Sequence, residues 1–319
     1  MPNPGWQPAL VAGAPTARIA DSAMTLLSAV QEDVLQRLGR IGVAARQAVE
    51  SVLVGQHRSV RRGLSVEFAG HRPYQPGDDL RRLDWAVYAR SDRLDVRLYE
   101  EETRLRATLV VDCSGSMAYG PAGATKLDYA KRLAAALGFL MVRQADAVGL
   151  ATCDTGVREH LPPGSTMGHL ITVLDHLEAT APGGETALGP VLEQLAARLS
   201  RRGVVVLITD GYDDPARLLL ALRLLRHQRQ DVRLFLVADP AEEAFPHRGM
   251  IEFLGLEHEP RLLLDADRVR AWYREAFAEH RRVIAAGCHA INVRVETVRT
   301  DEDLALVLVR ALSIERGRR

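Results

Sequence analysis

The sequence has few cysteines, no excess charge of either sign and no long apolar run, and these absences argue against several classes of protein. It holds three cysteines in 319 residues, with no Cys-x-x-Cys pair, which argues against a disulfide framework or a structural zinc site and fits a reducing compartment. Its 41 basic residues balance 41 acidic ones, so no general affinity for nucleic acid or anionic membranes is indicated. No apolar run approaches the roughly 20 residues of a membrane span, and the N-terminus lacks a signal-peptide pattern. We therefore expect a cytoplasmic protein without a membrane span.

From Thr108 onward, apolar β-branched runs alternate with amphipathic helical patterns. Strands are predicted near 108–112, 147–152, 156–161, 204–209 and 232–237, and helices near 126–143, 165–178, 187–200 and 215–229. Such alternation predicts an α/β fold in which a mostly parallel sheet is covered by helices on both faces.

The chain divides into regions of different composition. We predict a disordered tail at 1–20, a helical segment at 21–54, a small β-rich subdomain at 55–106, and an α/β domain at 107–316 that is interrupted at about 245–288. Within the interruption, Met250 to Leu264 is interpreted as a hairpin and Ala266 to Ala286 as a long helix. The last strand is expected at 291–295, and the last helix at 301–314 with Thr300 as its N-cap.

The β-rich subdomain is predicted from short alternating runs and turn residues. Val66 to Phe68 and Leu94 to Tyr99 are interpreted as strands, with Gly70 as a turn signal between them. We expect Trp85 to pack this subdomain onto the main sheet.

Acidic and hydroxyl side chains follow the buried strands. Asp112, Ser114 and Ser116 come directly after the first strand, and Asp210 ends another. Thr186 lies in a Gly-Gly-Glu-Thr turn between them. In open α/β sheets, ligands bind beyond the carboxyl ends of the strands, and hard oxygen donors suit Mg²⁺, or Mn²⁺. Since hydroxyls are neutral, the ion would keep positive charge for an acidic group from a partner, although these residue types are also common in turns.

Two sets of motifs carry a resemblance to known families. Asp112-x-Ser114-x-Ser116, Thr186 and Asp210 resemble the metal-ion-dependent adhesion site (MIDAS) of von Willebrand factor type A domains, over about residues 107–240. Upstream segments resemble the signature of bacterial domain-of-unknown-function family 58: Ser65-Val66-Glu67-Phe68, Arg72-Pro73-Tyr74, Pro76-Gly77-Asp78-Asp79, Arg82-x-Asp84-Trp85 and Arg97-x-Tyr99-Glu100-Glu101-Glu102.

This resemblance implies a Rossmann-like type A fold with an N-terminal addition. It also implies that Asp112, Ser114, Ser116, Thr186 and Asp210 bind Mg²⁺, and that the ion captures an acidic side chain of a protein partner. Members of the family are commonly encoded beside AAA+ ATPases of the MoxR type. We therefore expect an adaptor or regulator of such an ATPase, acting in the remodelling of protein complexes, with no catalytic residues.

Two other functions stay open at this point. A Mg²⁺-dependent phosphoryl hydrolase would use Asp112 as its nucleophile, but that chemistry commonly employs a second acid two residues on, where this chain has Ser114. A structural scaffold with a degenerate metal site is the other alternative. Beside the site, Cys113 is expected to be a small buried side chain, and Glu185 to point to solvent.

Overall fold

The computed structural model describes residues 68–75, 83–91, 93–99, 105–200, 202–257 and 260–313. The predicted tail at 1–20, the predicted helical segment at 21–54 and the Pro76–Asp79 motif lie outside these ranges.

Ten strands and eight α-helices make up the described part of the chain. The strands are β1 (Phe68–Pro73), β2 (Asp95–Tyr99), β3 (Arg106–Asp112), β4 (Ala147–Cys153), β5 (Val157–Gly164), β6 (Gly203–Thr209), β7 (Gln230–Ala238), β8 (Met250–Phe253), β9 (Leu262–Asp265) and β10 (Arg294–Arg299). The helices are α1 (Trp85–Ser91), α2 (Lys126–Arg143), α3 (Met167–Ala179), α4 (Leu188–Arg198), α5 (Pro215–His227), α6 (Pro240–Ala244), α7 (Ala266–Ala290) and α8 (Leu304–Ser313). A short 3₁₀ helix, Gly115–Ala118, follows β3.

Six strands form the central sheet, in the order β10-β7-β6-β3-β4-β5. Every neighbouring pair is parallel except β4 and β5, which are antiparallel. Successive residues of β3 therefore enter different layers: Leu109 and Val111 pack with helices α2, α3 and α8, and Val110 packs with α4, α5 and α7. The predicted fold class, a mostly parallel sheet with helices on both faces, is confirmed.

Helix α2 begins at a residue that points into the protein. The hydroxyl of Thr125 accepts the Asp128 N–H at 3.1 Å, and the Asp128 carboxylate accepts the Thr125 N–H at 3.0 Å. This capping box satisfies backbone donors that a helix N-terminus otherwise leaves free. It also sets the first residue, Lys126, beneath the loop that follows β3, where its side chain is fully buried.

The small N-terminal elements depart from expectation in three respects. β1 and β2 pair as an antiparallel ribbon, and Gly70 lies within β1 beside an irregularity in register, so it does not form a turn. Leu94 precedes β2 and is exposed, whereas Val96 is buried. Trp85 is 61% exposed and meets Tyr88 edge-on, so our prediction that it packs onto the main sheet is wrong.

The sequence predicted the types of the C-terminal elements correctly, but not where each element begins and ends. The hairpin β8–β9 and the long helix α7 are present, but α7 continues to Ala290 and the chain turns at Asn292, whose φ is 56°. The last strand therefore begins at Arg294, three residues later than predicted. Thr300 is not the cap of α8; its hydroxyl donates to Asp239, and the Asp303 carboxylate accepts the Ala305 N–H. Within the described residues, no helix is both long and apolar enough to cross a membrane.

Candidate metal site

The loop after β3 and the turn before α4 are joined by backbone hydrogen bonds. The Gly115 N–H donates to the Gly184 carbonyl and the Gly183 N–H to the Cys113 carbonyl, each at 2.9 Å. Gly184 has a φ of 78°, a conformation that favours glycine. The two loops are therefore held side by side, and Thr186 is brought to the serine loop (residues 112–116).

Within the serine loop, three of the five predicted ligands contact one another. The Ser114 and Ser116 hydroxyl oxygens lie 3.1 Å apart, and the Ser114 N–H donates to Asp112 Oδ1 at 3.0 Å. All three residues are buried. The second oxygen of Asp112 accepts the hydroxyl of Thr209 at 2.6 Å, across from β3 to its neighbour β6. The loop thus gathers two hydroxyls and a carboxylate at one point.

Asp210 is placed differently from the other predicted ligands. It follows β6, and its Oδ2 accepts the ammonium of Lys126 at 2.8 Å. The same ammonium donates to Glu242 Oε1 at 2.6 Å, and the Tyr212 hydroxyl donates to that oxygen at 3.3 Å. Burial lowers the pKa of Lys126, but Asp210 and Glu242 outweigh it, so the net shift is upward and the lysine stays charged. Asp210 therefore belongs to a buried ion-pair network behind the serine loop.

The Asp112 carboxyl is buried and has an acidic neighbour. Asp210 lies close enough to repel it, although Lys126 pairs with Asp210 and Glu242 and Arg281 also interacts with both acids. Burial, and next the repulsion from Asp210, raise the pKa of Asp112 to about 7. A cation beside Asp112 would relieve both effects, because it replaces lost hydration and offsets the repulsion.

The donor chemistry also fits a hard ion. Mg²⁺ prefers oxygen ligands and usually keeps several waters, and Ser114, Ser116, Thr186 and Asp112 offer hydroxyl and carboxylate oxygens. Across the described ranges, no group of three or more His, Cys, Asp and Glu side chains is placed to hold a metal. A site here would use the hydroxyls of Ser114, Ser116 and Thr186 beside the single carboxylate of Asp112.

Glu257 was not predicted to be part of this site. It lies in the connection between β8 and β9, and its carboxylate accepts hydrogen bonds from Ser116 and Thr186. Partial burial raises the pKa of Glu257, but these hydrogen bonds outweigh it, and the pKa falls below its usual value. An ionised acid of the chain itself thus lies against two of the five predicted ligands.

Residues flanking the site behave as expected. Cys113 is fully buried, and burial raises the pKa of its thiol to about 12, so it is an inert packing residue. Glu185 is exposed to solvent.

The sequence analysis missed three residues around the site: Lys126, Thr209 and Glu242. Thr209 ends a strand, a position that the sequence does mark, whereas the sequence near Glu242 carries no signal of the site.

The profile of the family described as "Protein of unknown function DUF58" matches residues 70–283, more than half of the chain. The chain belongs to this family. The uncharacterized protein Rv1480 of Mycobacterium tuberculosis is 29% identical over 283 residues, which cover 88% of this chain and 89% of that protein. The uncharacterized protein Mb1516 of Mycobacterium bovis matches to the same extent.

Solved structures with a similar arrangement include three with low sequence identity. BatB from Bacteroides thetaiotaomicron is 18% identical, with a TM-score of 0.45, over 66% of this chain and 98% of that one. An aerotolerance-related membrane protein from Bacteroides fragilis is 19% identical, with a TM-score of 0.42, over 67% and 98%. The SpRpn10 VWA domain is 13% identical, with a TM-score of 0.39, over 65% and 95%. Similarity at this level carries no conclusion about what this DUF58 chain binds.

Proposed function

We propose that this chain is a Mg²⁺-dependent protein-binding module whose ion captures an acidic side chain of a protein partner. The observation that carries the proposal is the cluster after β3: two serine hydroxyls 3.1 Å apart beside a buried aspartate, with Thr186 held alongside by backbone hydrogen bonds. When bound, the ion would supply a positive centre that neutral hydroxyls leave incompletely neutralised.

The five predicted residues would not contribute equally. Ser114, Ser116 and Thr186 would offer neutral oxygens, and Asp112 would offer charge. Asp210 is already paired with Lys126 at 2.8 Å, so we assign it an indirect part, in which it increases the negative potential behind Asp112. Charged groups in a buried setting act on one another strongly because the local dielectric is low.

The sequence at Asp112 favours binding over phosphoryl hydrolysis. That chemistry commonly places a second acid two residues after a nucleophilic aspartate, to act as general acid or base, and this chain has Ser114 there. Asp112 itself is held by the Ser114 N–H at Oδ1 and by the Thr209 hydroxyl at Oδ2, 2.6 Å away. Each carboxylate oxygen keeps a second lone pair, so a side chain fixed in this way can still bind an ion.

The partner that we propose is a MoxR-type AAA+ ATPase in the cytoplasm, with the chain acting as its adaptor or regulator in protein-complex remodelling. This part of the proposal is supported by the family resemblance of the upstream motifs, since the site chemistry specifies only that the partner presents an acid. The ATPase would supply the motor, and this chain would supply recognition.

A capture experiment tests the proposal. Wild type and Asp112→Ala are immobilised, each with Mg²⁺ and with chelator, and partners from native lysate are identified by mass spectrometry. Asp175→Ala serves as a matched control, because Asp175 is an exposed aspartate on α3, away from the serine loop. We expect wild type and the control to retain an AAA+ ATPase in the presence of Mg²⁺ and to lose it in the presence of chelator. Asp112→Ala should retain it under neither condition. Identical partners for every variant and condition would show that binding uses another surface.

A further inference from the structure

The hairpin β8–β9 brings a carboxylate of the chain itself onto the candidate metal site. Glu257 Oε1 accepts the Ser116 N–H at 2.8 Å and the Thr186 hydroxyl at 2.7 Å. Its Oε2 accepts the Thr186 N–H at 2.9 Å. One side chain therefore bridges two separate ligand loops and contacts a predicted ligand oxygen directly.

Backbone packing shows independently that the hairpin lies on the serine loop. A Cβ added to Gly115 would overlap the Leu256 carbonyl oxygen and come within 2.9 Å of Glu257 Cγ. A residue larger than glycine at position 115 would thus push the hairpin away. The close approach of two backbones is one of the uses of glycine in proteins, and here it lets the Glu257 carboxylate reach Ser116.

Much of the hairpin's apolar surface faces solvent. Its base is tied to α7, where the Ala266 N–H donates to the Gly249 carbonyl at 2.8 Å. Along its length, large apolar side chains are exposed: Met250, Leu254, Leu256, Leu262 and Leu263. Elements with few buried apolar contacts open at a low free-energy cost. The hairpin is also anchored by Phe253, which stacks on Phe245 with ring centroids 5.7 Å apart. The hydrogen bonds of Glu257 therefore act on the far end of the hairpin, next to the site.

We infer that Glu257 is an internal acidic ligand of the site, in the position that the proposed function gives to a partner's acid, so that hairpin and partner compete for one ion. The inference rests on the proposed function. Because Glu257 is tethered, its effective concentration at the site is high. A partner can bind only after the hairpin has been displaced. The partner's apparent affinity is therefore its intrinsic affinity multiplied by the fraction of molecules in which the site is open.

The full chain with Mn²⁺ as the probe ion provides the test. Calorimetric titrations compare wild type, Glu257→Gln and the control Glu252→Gln, which alters an exposed acid of the same hairpin that faces Arg261 at 3.8 Å. The amide of Glu257→Gln can still accept the Ser116 N–H, and circular dichroism checks that it folds. Loss of an outer-shell partner of a metal site costs about 10- to 100-fold in affinity, so we expect Mn²⁺ affinity to fall at least about tenfold when Glu257→Gln removes a charged ligand, and to stay unchanged in the control. Hydrogen exchange at 250–257 should slow with Mn²⁺ in wild type and in the control, but not in Glu257→Gln.

Competition is measured with a fluorescent glycine-serine peptide that carries one glutamate, at saturating Mn²⁺. We expect Glu257→Gln to bind this peptide more tightly than wild type does, and the glutamine version of the peptide to bind neither protein. Equal Mn²⁺ affinity in wild type and Glu257→Gln would overturn the inference, and so would the absence of a gain in peptide affinity. In either case wild type would still bind Mn²⁺, so the proposed function would stand. Absence of Mn²⁺ binding by wild type would overturn both.

Discussion

The two parts of this site are built in opposite ways. The serine loop ends a strand that is buried from Ala107 to Asp112, and it is locked by hydrogen bonds to β6 and to the Gly183–Gly184 turn. The hairpin β8–β9 contributes Glu257 from an element whose large apolar residues are mostly exposed. One part is fixed by the core and the other is attached to it by a few contacts. A site made of a rigid half and a releasable half can bind its own acid and exchange it for another.

The largest expected effect is in the rigid half. Lys126→Ala would leave Asp210 and Glu242 buried without their ammonium, and removal of one partner from a buried ion pair costs about 3–5 kcal/mol. Urea denaturation measures the loss in unfolding free energy. Arg217→Ala is the matched control, because Arg217 is 74% exposed and its ion pair with Asp214 is long, at 3.8 Å; we expect its effect to stay below about 1 kcal/mol. Equal effects would mean that Lys126 does not stabilise the network.

Gly115→Ala tests the contact between the two halves. The added Cβ would overlap the Leu256 carbonyl oxygen, and such overpacking costs about 1–3 kcal/mol. We expect faster hydrogen exchange throughout 250–257 as the hairpin is displaced. At Gly168, on α3, a Cβ meets no atom within 4 Å, so Gly168→Ala should leave the hairpin unchanged and stabilise the protein by up to about 1 kcal/mol. Unchanged exchange in Gly115→Ala would contradict the proposed packing.

A smaller effect is expected for a single neutral ligand. Ser114→Ala removes the hydroxyl whose oxygen lies 3.1 Å from the Ser116 hydroxyl oxygen. The substitution should weaken Mg²⁺ binding about tenfold, or about 1.4 kcal/mol. Ser200→Ala, at an exposed serine after α4, is the control and should not alter the affinity. Thermal shift against Mg²⁺ concentration provides the measurement. An affinity that is insensitive to Ser114 would remove the serine loop from the site.

The smallest effect is expected at Trp85. Because its side chain is 61% exposed, Trp85→Ala should change the unfolding free energy by less than about 1 kcal/mol, whereas removing a buried tryptophan costs about 3–5 kcal/mol. Chemical denaturation distinguishes the two. A large loss would show that Trp85 packs against the main domain after all.

The sequence was sufficient for the parts of the fold and site that depend on local patterns. The β-branched run ending at Asp112 predicts a buried strand, and residues beyond the ends of parallel strands meet at one edge of the sheet. For that reason the amino-acid sequence alone predicts that Ser114, Ser116 and Asp210 are neighbours. The alternation of strands and helices likewise predicts the layered sheet.

Contacts between distant segments could not be predicted in this way. Glu242 is 116 residues from Lys126, and Glu257 is 141 residues from Ser116. Neither lies in a pattern that marks it as part of the site, because an acid on a surface loop and an acid over a metal site look alike in sequence. Trp85 shows the same difficulty: a large aromatic residue predicts burial, but only the neighbouring elements decide whether burial occurs.

Calorimetric titration of Mg²⁺ into wild type and Asp112→Ala tests the central claim most directly. We expect one ion to bind per wild-type chain and none to bind the variant, with both proteins showing the same circular dichroism. Equal binding by the two proteins, or none by wild type at millimolar Mg²⁺, would contradict the account of the serine loop as a metal site.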